Sequence, residues 1–449
     1  MARTFSVSTS AVDITPPAGY PMGGYGVDTP RLATGTNEPL RARCTILWDA
    51  GTPKVIVTAD VLAFGRTMHQ AIRAGVIALG VASPDFVLTA THTHNGPVLI
   101  EKLNPYIAYN LTELDEVEAF SDDLVDILVR LVQTTLRRRR TRCTLDYQVT
   151  DENFSFNREG LPYTEVDVPV LVARSLSGVP RAVLFGYGAH TVAASGQTDF
   201  DPDYPAQAIK EIEARADSTF AQFLLGPAGD QNPRITLSFE SSDAYGADLG
   251  LTVANAIEQP GRRLSGPIRT EYTELEIPLD VSEAASNLAG VAAAYLSRAQ
   301  RPGMLGFFRR HAEEMIRDLQ AGTFETSVML PVQVWTFAGE PDLNVIFCGG
   351  EVVSGYAVVL RNNHLGSDGV WFNAYANEIP AYIPSNELLS RPSYAGGIDM
   401  DAPGIAGGSM TVYDHIGHFS RGEPGTPAGV EEILLTQLES MLSTPDPNG

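Results

Sequence analysis

The sequence predicts an α/β protein in which mixed, largely buried β-sheets are flanked by helices. Three observations lead to this fold class: apolar runs are short and continuous, helical patterns lie between them, and one stretch alternates apolar with polar residues. Continuous runs rich in Val, Ile, Leu and Phe are typical of strands that are buried on both faces. Strands that are interleaved with helices indicate the α/β class.

The apolar runs and helical patterns can be assigned in chain order. We expect buried strands at 44–49, 54–59, 85–90, 168–173, 182–188, 221–226 and 343–348. The alternating stretch 266–280, "PIRTEYTELEIPLDV", predicts a strand of an antiparallel pair. We expect helices at 66–79, 115–140, 205–216, 282–299, 304–320, 351–363 and 430–442.

Composition narrows the functional classes. The chain has 449 residues, 44% of them hydrophobic, and no convincing linker, so we expect a single domain over residues 1–449. A net charge of −23 disfavours nucleic acid and anionic membrane surfaces as partners. The three cysteines have no paired spacing, which argues against a disulfide framework or a cysteine zinc site. The sequence carries no signal for an oligomeric state.

The location is predicted from segments that the sequence lacks. The N-terminal stretch "MARTFSVSTSAVDITPP" has no apolar core of the kind found in signal peptides. No run approaches the roughly 18 apolar residues that a membrane span needs. We therefore expect a soluble, cytoplasmic protein without stable membrane association.

Four of the predicted strands run directly into polar turns. The strand at 85–90 leads to "THTHNG" (91–96), and the strand at 182–188 leads to His190. The strand at 221–226 leads to Asp230, and the strand at 343–348 leads to Glu351. In open α/β sheets, ligands bind at the carboxyl ends of strands, where such turns converge. The sequence therefore predicts a site that contains two histidine turns, an aspartate and a glutamate.

The His-x-His pair suggests a metal site at this position. Alternate residues of an extended segment point to the same side, so His92 and His94 can face one pocket. Neutral imidazole is the commonest zinc ligand, and catalytic zinc usually keeps one position for water. The alternative is a pair of histidines satisfied by backbone hydrogen bonds at a strand end. No G-x-S-x-G motif is present, so the usual serine-hydrolase turn is absent.

Seven motifs in order resemble the N-terminal catalytic domain of the neutral/alkaline ceramidase family. They are "DITPPAGYPMGGYG", "ATHTHNGP", "FNREGLPY", "GYGAHTVAASG", "GPAGDQNPR", "GGEVVSGYA" and "NEIPAYIPS". The resemblance implies the fold of that domain and a zinc-dependent hydrolase that cleaves an N-acyl amide bond. It also implies four zinc ligands: His92, His190, Glu351 and Tyr382. By the same resemblance, His94 and Arg158 line the pocket beside the reacting carbonyl.

The sequence departs from the ceramidase pattern in three respects. The family has a serine in a Gly-Asp-x-Ser-Pro motif, where this chain has Asn232. Asparagine cannot act as a nucleophile, but its amide can donate a hydrogen bond to an oxyanion. We also expect no signal peptide and no β-rich C-terminal domain, both of which are usual in the family. These departures favour a soluble small molecule over ceramide as the substrate.

The sequence therefore predicts a zinc-dependent hydrolase that cleaves an amide, ester or lactone bond by attack of metal-activated water. His94 would act as general base or acid, and Arg158 and Asn232 would stabilise developing negative charge. Asp230 would orient a histidine or hold its turn. Two alternatives stay open at this point: a non-catalytic metal-binding homologue with a binding or regulatory role, and a (β/α)₈ metal-dependent amidohydrolase.

Overall fold

The secondary structure is known from a computed structural model of the chain. It describes residues 5–101, 105–216, 218–235, 238–303, 306–323, 325–391, 415–422 and 428–442. The strands are β1 Phe5–Asp13, β2 Pro21–Met22, β3 Arg31–Leu32, β4 Gly35–Thr36, β5 Arg41–Asp49, β6 Thr52–Ala59, β7 Phe86–Ala90, β8 Thr141–Asp151, β9 Ser155–Asn157, β10 Asp167–Ser175, β11 Pro180–Tyr187, β12 Asp199–Phe200, β13 Phe220–Leu225, β14 Gln231–Pro233, β15 Arg262–Asp280, β16 Ser327–Gly339, β17 Leu343–Cys348, β18 Glu351–Val352, β19 Val370–Asn373, β20 Tyr382–Ile383 and β21 His418–Phe419. The helices are α1 Arg66–Ala78, α2 Pro105–Tyr109, α3 Asp115–Arg137, α4 Tyr204–Arg215, α5 Phe239–Ala256, α6 Ser282–Ser286, α7 Leu288–Gln300, α8 Gly306–Ala321, α9 Gly355–Asn363, α10 Asn386–Leu389 and α11 Val430–Leu442.

All seven predicted buried strands are confirmed, as β5, β6, β7, β10, β11, β13 and β17. The alternating stretch is also confirmed, because β15 pairs antiparallel with β16. The prediction for 351–363 is wrong at its start, since the helix begins at Gly355. Glu351 and Val352 instead pair with a later segment as β18 and β20. The predicted helix at 282–299 is two helices, α6 and α7, and residues 304–305 of the predicted helix 304–320 lie outside the described residues.

The main sheet is mixed and branches at β8. One edge of β8 pairs with β10, which continues through β11 to β13. The opposite edge pairs first with β1 and then with β15, so two sets of strands diverge from it. The order along the main path is β19-β17-β16-β15-β8-β1-β5-β6-β7. The (β/α)₈ alternative is wrong, because that fold needs eight parallel strands and most neighbours here are antiparallel.

The two faces of a buried strand pack against different partners. Alternate side chains of a strand belong to separate apolar clusters: Leu47 lies in a cluster drawn almost entirely from strands, whereas Ile46 lies in a cluster shared with helices. The strand-only cluster joins Leu47 of β5 to Trp335 of β16 and Phe347 of β17. In strands such as β5 and β17, one face therefore packs against other strands and the opposite face contributes to the core shared with helices. This double burial explains the continuous apolar runs in the sequence.

The carboxyl ends of several strands meet at one place. β7 runs parallel to β6, β11 parallel to β13, and β17 parallel to β19. Backbone hydrogen bonds join the segments that follow them: His190 N–H donates to Gln231 O, and Gly229 N–H donates to Val352 O. The polar turns predicted from the sequence are therefore neighbours in the folded chain.

None of the helices in the described part of the chain is both long enough and apolar enough to cross a bilayer.

Candidate metal site at the strand ends

His92 lies in the turn after β7 in a constrained backbone conformation. Its φ of 62° is in the left-handed region, which non-glycine residues seldom occupy and which is often found at functional sites. Its N–H donates to Val61 O at 3.0 Å. Its ring Nδ1 is 2.7 Å from Leu62 O, and because a carbonyl can only accept, Nδ1 carries the proton. The lone pair of neutral His92 is therefore on Nε2.

His190 follows β11 and is oriented in the same way. Its ring Nδ1 donates to Ala228 O at 2.7 Å, so its lone pair is also on Nε2. A hydrogen bond from one ring nitrogen to a backbone carbonyl is the usual way in which proteins fix the tautomer of a metal-ligating histidine. Both rings are fully buried.

Four ligand-type atoms converge at this point. His92 Nε2 lies 3.1 Å from His190 Nε2 and 3.3 Å from His94 Nε2. Glu351 Oε2 lies 3.2 Å from His92 Nε2 and 3.3 Å from His190 Nε2. A tetrahedral shell with bonds of about 2.0–2.1 Å has edges of about 3.3 Å, so these separations fit a shared cation. The three histidines form a cluster that could hold a metal ion.

The electronic character of the cluster favours a cation in the same way. Two Nε2 lone pairs and a carboxylate oxygen face one another, which is repulsive unless positive charge lies between them. One proton can satisfy only one of these contacts, whereas one metal ion satisfies all of them together. The residues therefore fit a metal ion by their chemistry as well as by their spacing.

The pKa shifts describe the ionisation states that metal binding needs. Burial lowers the pKa of His190 to about 4, against the opposing effect of Glu351. Burial, together with the neighbouring His92 and His190, lowers the pKa of His94 well below its usual range. Burial alone would raise the pKa of Glu351, but the adjacent His92 and His190 hold it well below its usual range. His94 and His190 are thus neutral and Glu351 is charged near pH 7.

His94 differs from the other two histidines in its second ring nitrogen. Its Nε2 points into the cluster, but its buried Nδ1 has no hydrogen-bond partner among the described residues. Its tautomer is therefore not fixed by a backbone carbonyl. A ring that can exchange its proton suits acid–base work better than fixed ligation. Gly24 packs directly on this residue, because a Cβ at Gly24 would lie 2.7 Å from His94 Cα.

Glu351 is held by a glycine contact and by a tyrosine. A Cβ at Gly229 would lie 2.5 Å from Glu351 O, so only glycine allows the two turns to approach this closely. Tyr375 OH donates to Glu351 Oε2 at 3.4 Å, and its ring lies 4.4 Å from that of His92, centroid to centroid. Tyr375 was missed in the sequence, although it follows β19 as the other site residues follow their strands.

The guanidinium of Arg158 connects the remaining predicted residues. Its Nη2 donates to Tyr382 OH at 2.8 Å and to Gly229 O at 2.7 Å, and its Nη1 donates to Asn232 Oδ1 at 3.5 Å. The ring of Tyr382 stacks on that of His190 at a centroid distance of 6.5 Å. Arg158 therefore links Asn232 to Tyr382, and Tyr382 lies beside His190 of the cluster.

The contacts of Asp230 hold its turn in place. Its Oδ1 accepts from Ser354 N–H at 2.8 Å, and its Oδ2 accepts from Ser354 Oγ at 2.9 Å and from Asn157 Nδ2 at 2.7 Å. Its backbone carbonyl accepts from Arg158 N–H at 2.8 Å. Of the two roles considered for Asp230, these contacts match that of holding the turn.

Two further residues beside His94 could not be identified from the sequence. Arg31 donates to the backbone carbonyl of His94 and to Asn95 Oδ1, the latter at 3.1 Å. The ring of Tyr25 lies 5.0 Å from that of His94. Both residues lie in or near the Gly-rich stretch 19–26, and no spacing rule connects that stretch to a histidine turn some 70 residues away.

The lowered pKa of His190 predicts how metal retention depends on pH. A lowered pKa keeps His190 in its neutral, ligating form as the pH falls from about 6.5 until it passes through about 4. Protons should therefore displace the metal only near about pH 4, whereas an unperturbed histidine site would weaken from about pH 6.5. Metal content after dialysis at a series of pH values, with circular dichroism to check folding, measures this. Half-loss of the metal near pH 6.5 from folded protein would contradict it.

The chain folds into a mixed sheet, and a buried cluster of three histidines and a glutamate lies where several of its strands end. Comparison with solved structures shows that this fold is that of the neutral ceramidases. Neutral ceramidase from Pseudomonas aeruginosa superposes with a TM-score of 0.65 at 19% identity, over 86% of this chain and 70% of that one. A ceramidase complexed with C2 superposes with a TM-score of 0.62 at 18% identity, over 85% and 70%. No protein-family model and no curated protein matches the sequence.

Proposed function

We propose that this protein is a zinc-dependent hydrolase that cleaves an amide, ester or lactone bond in a small molecule. The observation that carries the proposal is the convergence of His92, His190 and Glu351, whose ligand atoms lie 3.1–3.3 Å apart, close to the edge length of a tetrahedral metal shell. The ceramidase-like fold supports a hydrolase, because the fold neighbours are ceramidases.

Zinc suits this donor set of imidazoles and a carboxylate, with Tyr382 close by as the fourth ligand that the resemblance implies. When bound, zinc supplies a Lewis acid for a carbonyl oxygen and lowers the pKa of water toward about 7. The protein has to orient the substrate, move a proton and stabilise negative charge.

His94 is the residue we assign to proton transfer. Its buried Nδ1 is without a hydrogen-bond partner among the described residues, while its Nε2 faces the cluster. With a pKa well below its usual range, the ring is neutral at pH 7 and can accept a proton from the attacking group. It would then return that proton to the leaving group.

Arg158 and Asn232 are the groups we assign to the developing negative charge. Asn232 Oδ1 accepts from Arg158 Nη1, which leaves the amide N–H groups of Asn232 to face away from the guanidinium. Since Asn232 stands where the family has a serine, attack by water replaces attack by a side chain. The amide supplies a hydrogen bond to an oxyanion and not a nucleophile.

Asn232 should therefore matter for turnover and not for metal binding. We expect Asn232→Ala to lower kcat/KM by about 100- to 1000-fold, the usual effect of removing one oxyanion donor, with zinc content unchanged. Asn363→Ala is the matched control, because Asn363 bonds Glu439 on the surface of α9. Steady-state kinetics with elemental analysis measures both variants. Activity that is equal in the two would remove Asn232 from the mechanism.

The proposed function is tested with the metal-loaded native chain. N-acyl amides, esters and lactones of increasing acyl length are offered, and hydrolysis is followed before and after chelation and after zinc is restored. Zinc-dependent hydrolysis of any class supports the proposal. One zinc bound per chain with no hydrolysis in the panel would favour the non-catalytic homologue, and a chain that binds no metal would overturn the proposal.

Three further expectations remain proposals of ours. They are a single domain over residues 1–449, a cytoplasmic location, and a small molecule as the partner. The net charge of −23 supports the last, because it disfavours nucleic acid and stable association with anionic membranes.

A further inference from the structure

Thr191 stands between the two histidine turns. It follows His190 directly, and its side chain is fully buried. Its Oγ1 donates to Thr91 O at 2.9 Å and also contacts His92 O. Its own backbone carbonyl accepts from His94 N–H at 3.4 Å. One residue thus contacts the backbone of the opposite turn at Thr91, His92 and His94.

The contact matters because of the backbone of His92. At a φ of 62°, this residue occupies a region that costs energy for any residue with a Cβ. Such a conformation persists only where neighbouring groups over-determine it. The Thr191 hydroxyl contacts the carbonyl oxygens of Thr91 and His92, which flank the His92 backbone. On the other side, Val61 O accepts a hydrogen bond from the His92 N–H.

We infer that Thr191 is a positioning residue that holds His92 in its left-handed conformation and thereby sets the distance between the His92 and His190 imidazoles. This inference rests on the metal site of the proposed function. His92 Nε2 and His190 Nε2 are 3.1 Å apart, and a rotation of the His92 backbone would move its ring away from that contact. The hydroxyl is required, since a methyl group in its place has the same shape but cannot donate.

The isosteric variant Thr191→Val tests this inference. Removing a group that orients metal ligands typically lowers metal affinity by about 10- to 100-fold, and we expect a loss of zinc affinity in that range. Thr191→Ser retains the hydroxyl and should restore the affinity to within about threefold of the native value. Competition titration with a chromogenic chelator measures zinc affinity for each protein.

Thr89→Val is the matched control. Thr89 is a buried threonine whose Oγ1 donates to Thr58 Oγ1 at 2.8 Å and to Val57 O at 3.3 Å, within the sheet. Thr89→Val should lower the free energy of unfolding by an amount similar to that for Thr191→Val, but it should leave zinc affinity unchanged. Native affinity in Thr191→Val, or an equal loss in Thr89→Val, would overturn the inference.

A second measurement does not depend on metal. Amide hydrogen exchange of the metal-free proteins reports the turn at residues 91–95 directly, because the His92 N–H is bonded to Val61 O. We expect faster exchange in this turn for Thr191→Val and native exchange for Thr191→Ser. Unchanged exchange in Thr191→Val refutes the positioning role even if the native chain binds no zinc, whereas absence of zinc from the native chain refutes only the proposed function.

Discussion

Replacing His92 by Ala is expected to remove zinc and hydrolysis together. The binding free energy of a structural zinc, about 10–16 kcal/mol, is shared among its ligands, so one of four carries about 3 kcal/mol or more. The loss corresponds to about 100- to 1000-fold in affinity. His190→Ala should behave in the same way, because the two Nε2 atoms contact each other and the same oxygen of Glu351. Elemental analysis after gel filtration, with hydrolysis assays, measures the effect.

The control for this result is a histidine outside the cluster. His364 lies just after α9, where its Nε2 contacts Glu439 Oε2 at 2.5 Å, and His364→Ala should keep both metal and activity. Stoichiometric zinc in both His92→Ala and His190→Ala would show that the cluster is not the metal site. His92 and His190 would then be histidines that are satisfied by backbone carbonyls at strand ends, which is the alternative to a metal site that the sequence left open.

Replacing His94 is expected to separate metal binding from turnover. In His94→Gln, zinc affinity should fall by no more than about tenfold, because the proposed ligands His92, His190 and Glu351 remain in place. The rate constant kcat should fall by about 100- to 10,000-fold, the range for loss of a general acid–base residue. One limb of the pH–rate profile should disappear with it. Zinc content, kcat and the profile are measured on the same preparation.

The result for His94→Gln decides the role of His94, whose Nδ1 has no hydrogen-bond partner among the described residues. If His94→Gln loses zinc as readily as His92→Ala, then His94 is a ligand, and proton transfer belongs to another group near the site. If it keeps zinc and retains native kcat, His94 is neither a strong ligand nor the acid–base residue. Only retained zinc with lost turnover agrees with His94 as the acid–base residue.

Much of the fold could be predicted because strand burial leaves a direct pattern in the sequence. In β17, Val345 and Phe347 lie in the strand-only core, while Ile346 and Cys348 lie in the core shared with helices, so four successive positions are apolar. The site residues His92, His190 and Glu351 could be found for a related reason. Turns at strand ends collect polar groups that an interior strand cannot bury, and the carboxyl ends of neighbouring parallel strands meet.

Helix α5 could not be predicted in the same way. Its glycines lower intrinsic helix propensity by about 1 kcal/mol each, which argues against a helix when the sequence is considered alone. In the structure, a Cβ at Gly246 would lie 2.4 Å from Tyr204 O, and one at Gly250 would lie 2.7 Å from Ala208 O. The glycines are therefore needed for the close packing of α5 on α4. The tertiary contact overrides the local preference.

The sequence by itself determined the fold class, the apolar strands and the residue types of the candidate metal site, because hydrophobic periodicity and strand-end chemistry are local properties. Only the tertiary structure decided which ring nitrogen of His92 and His190 carries a proton, since that depends on the carbonyls of Leu62 and Ala228. It also decided the left-handed backbone of His92 and the place of Thr191 beside it. These features join residues about 30 to 100 positions apart, and the contacts that produce them exist only after the sheet has formed.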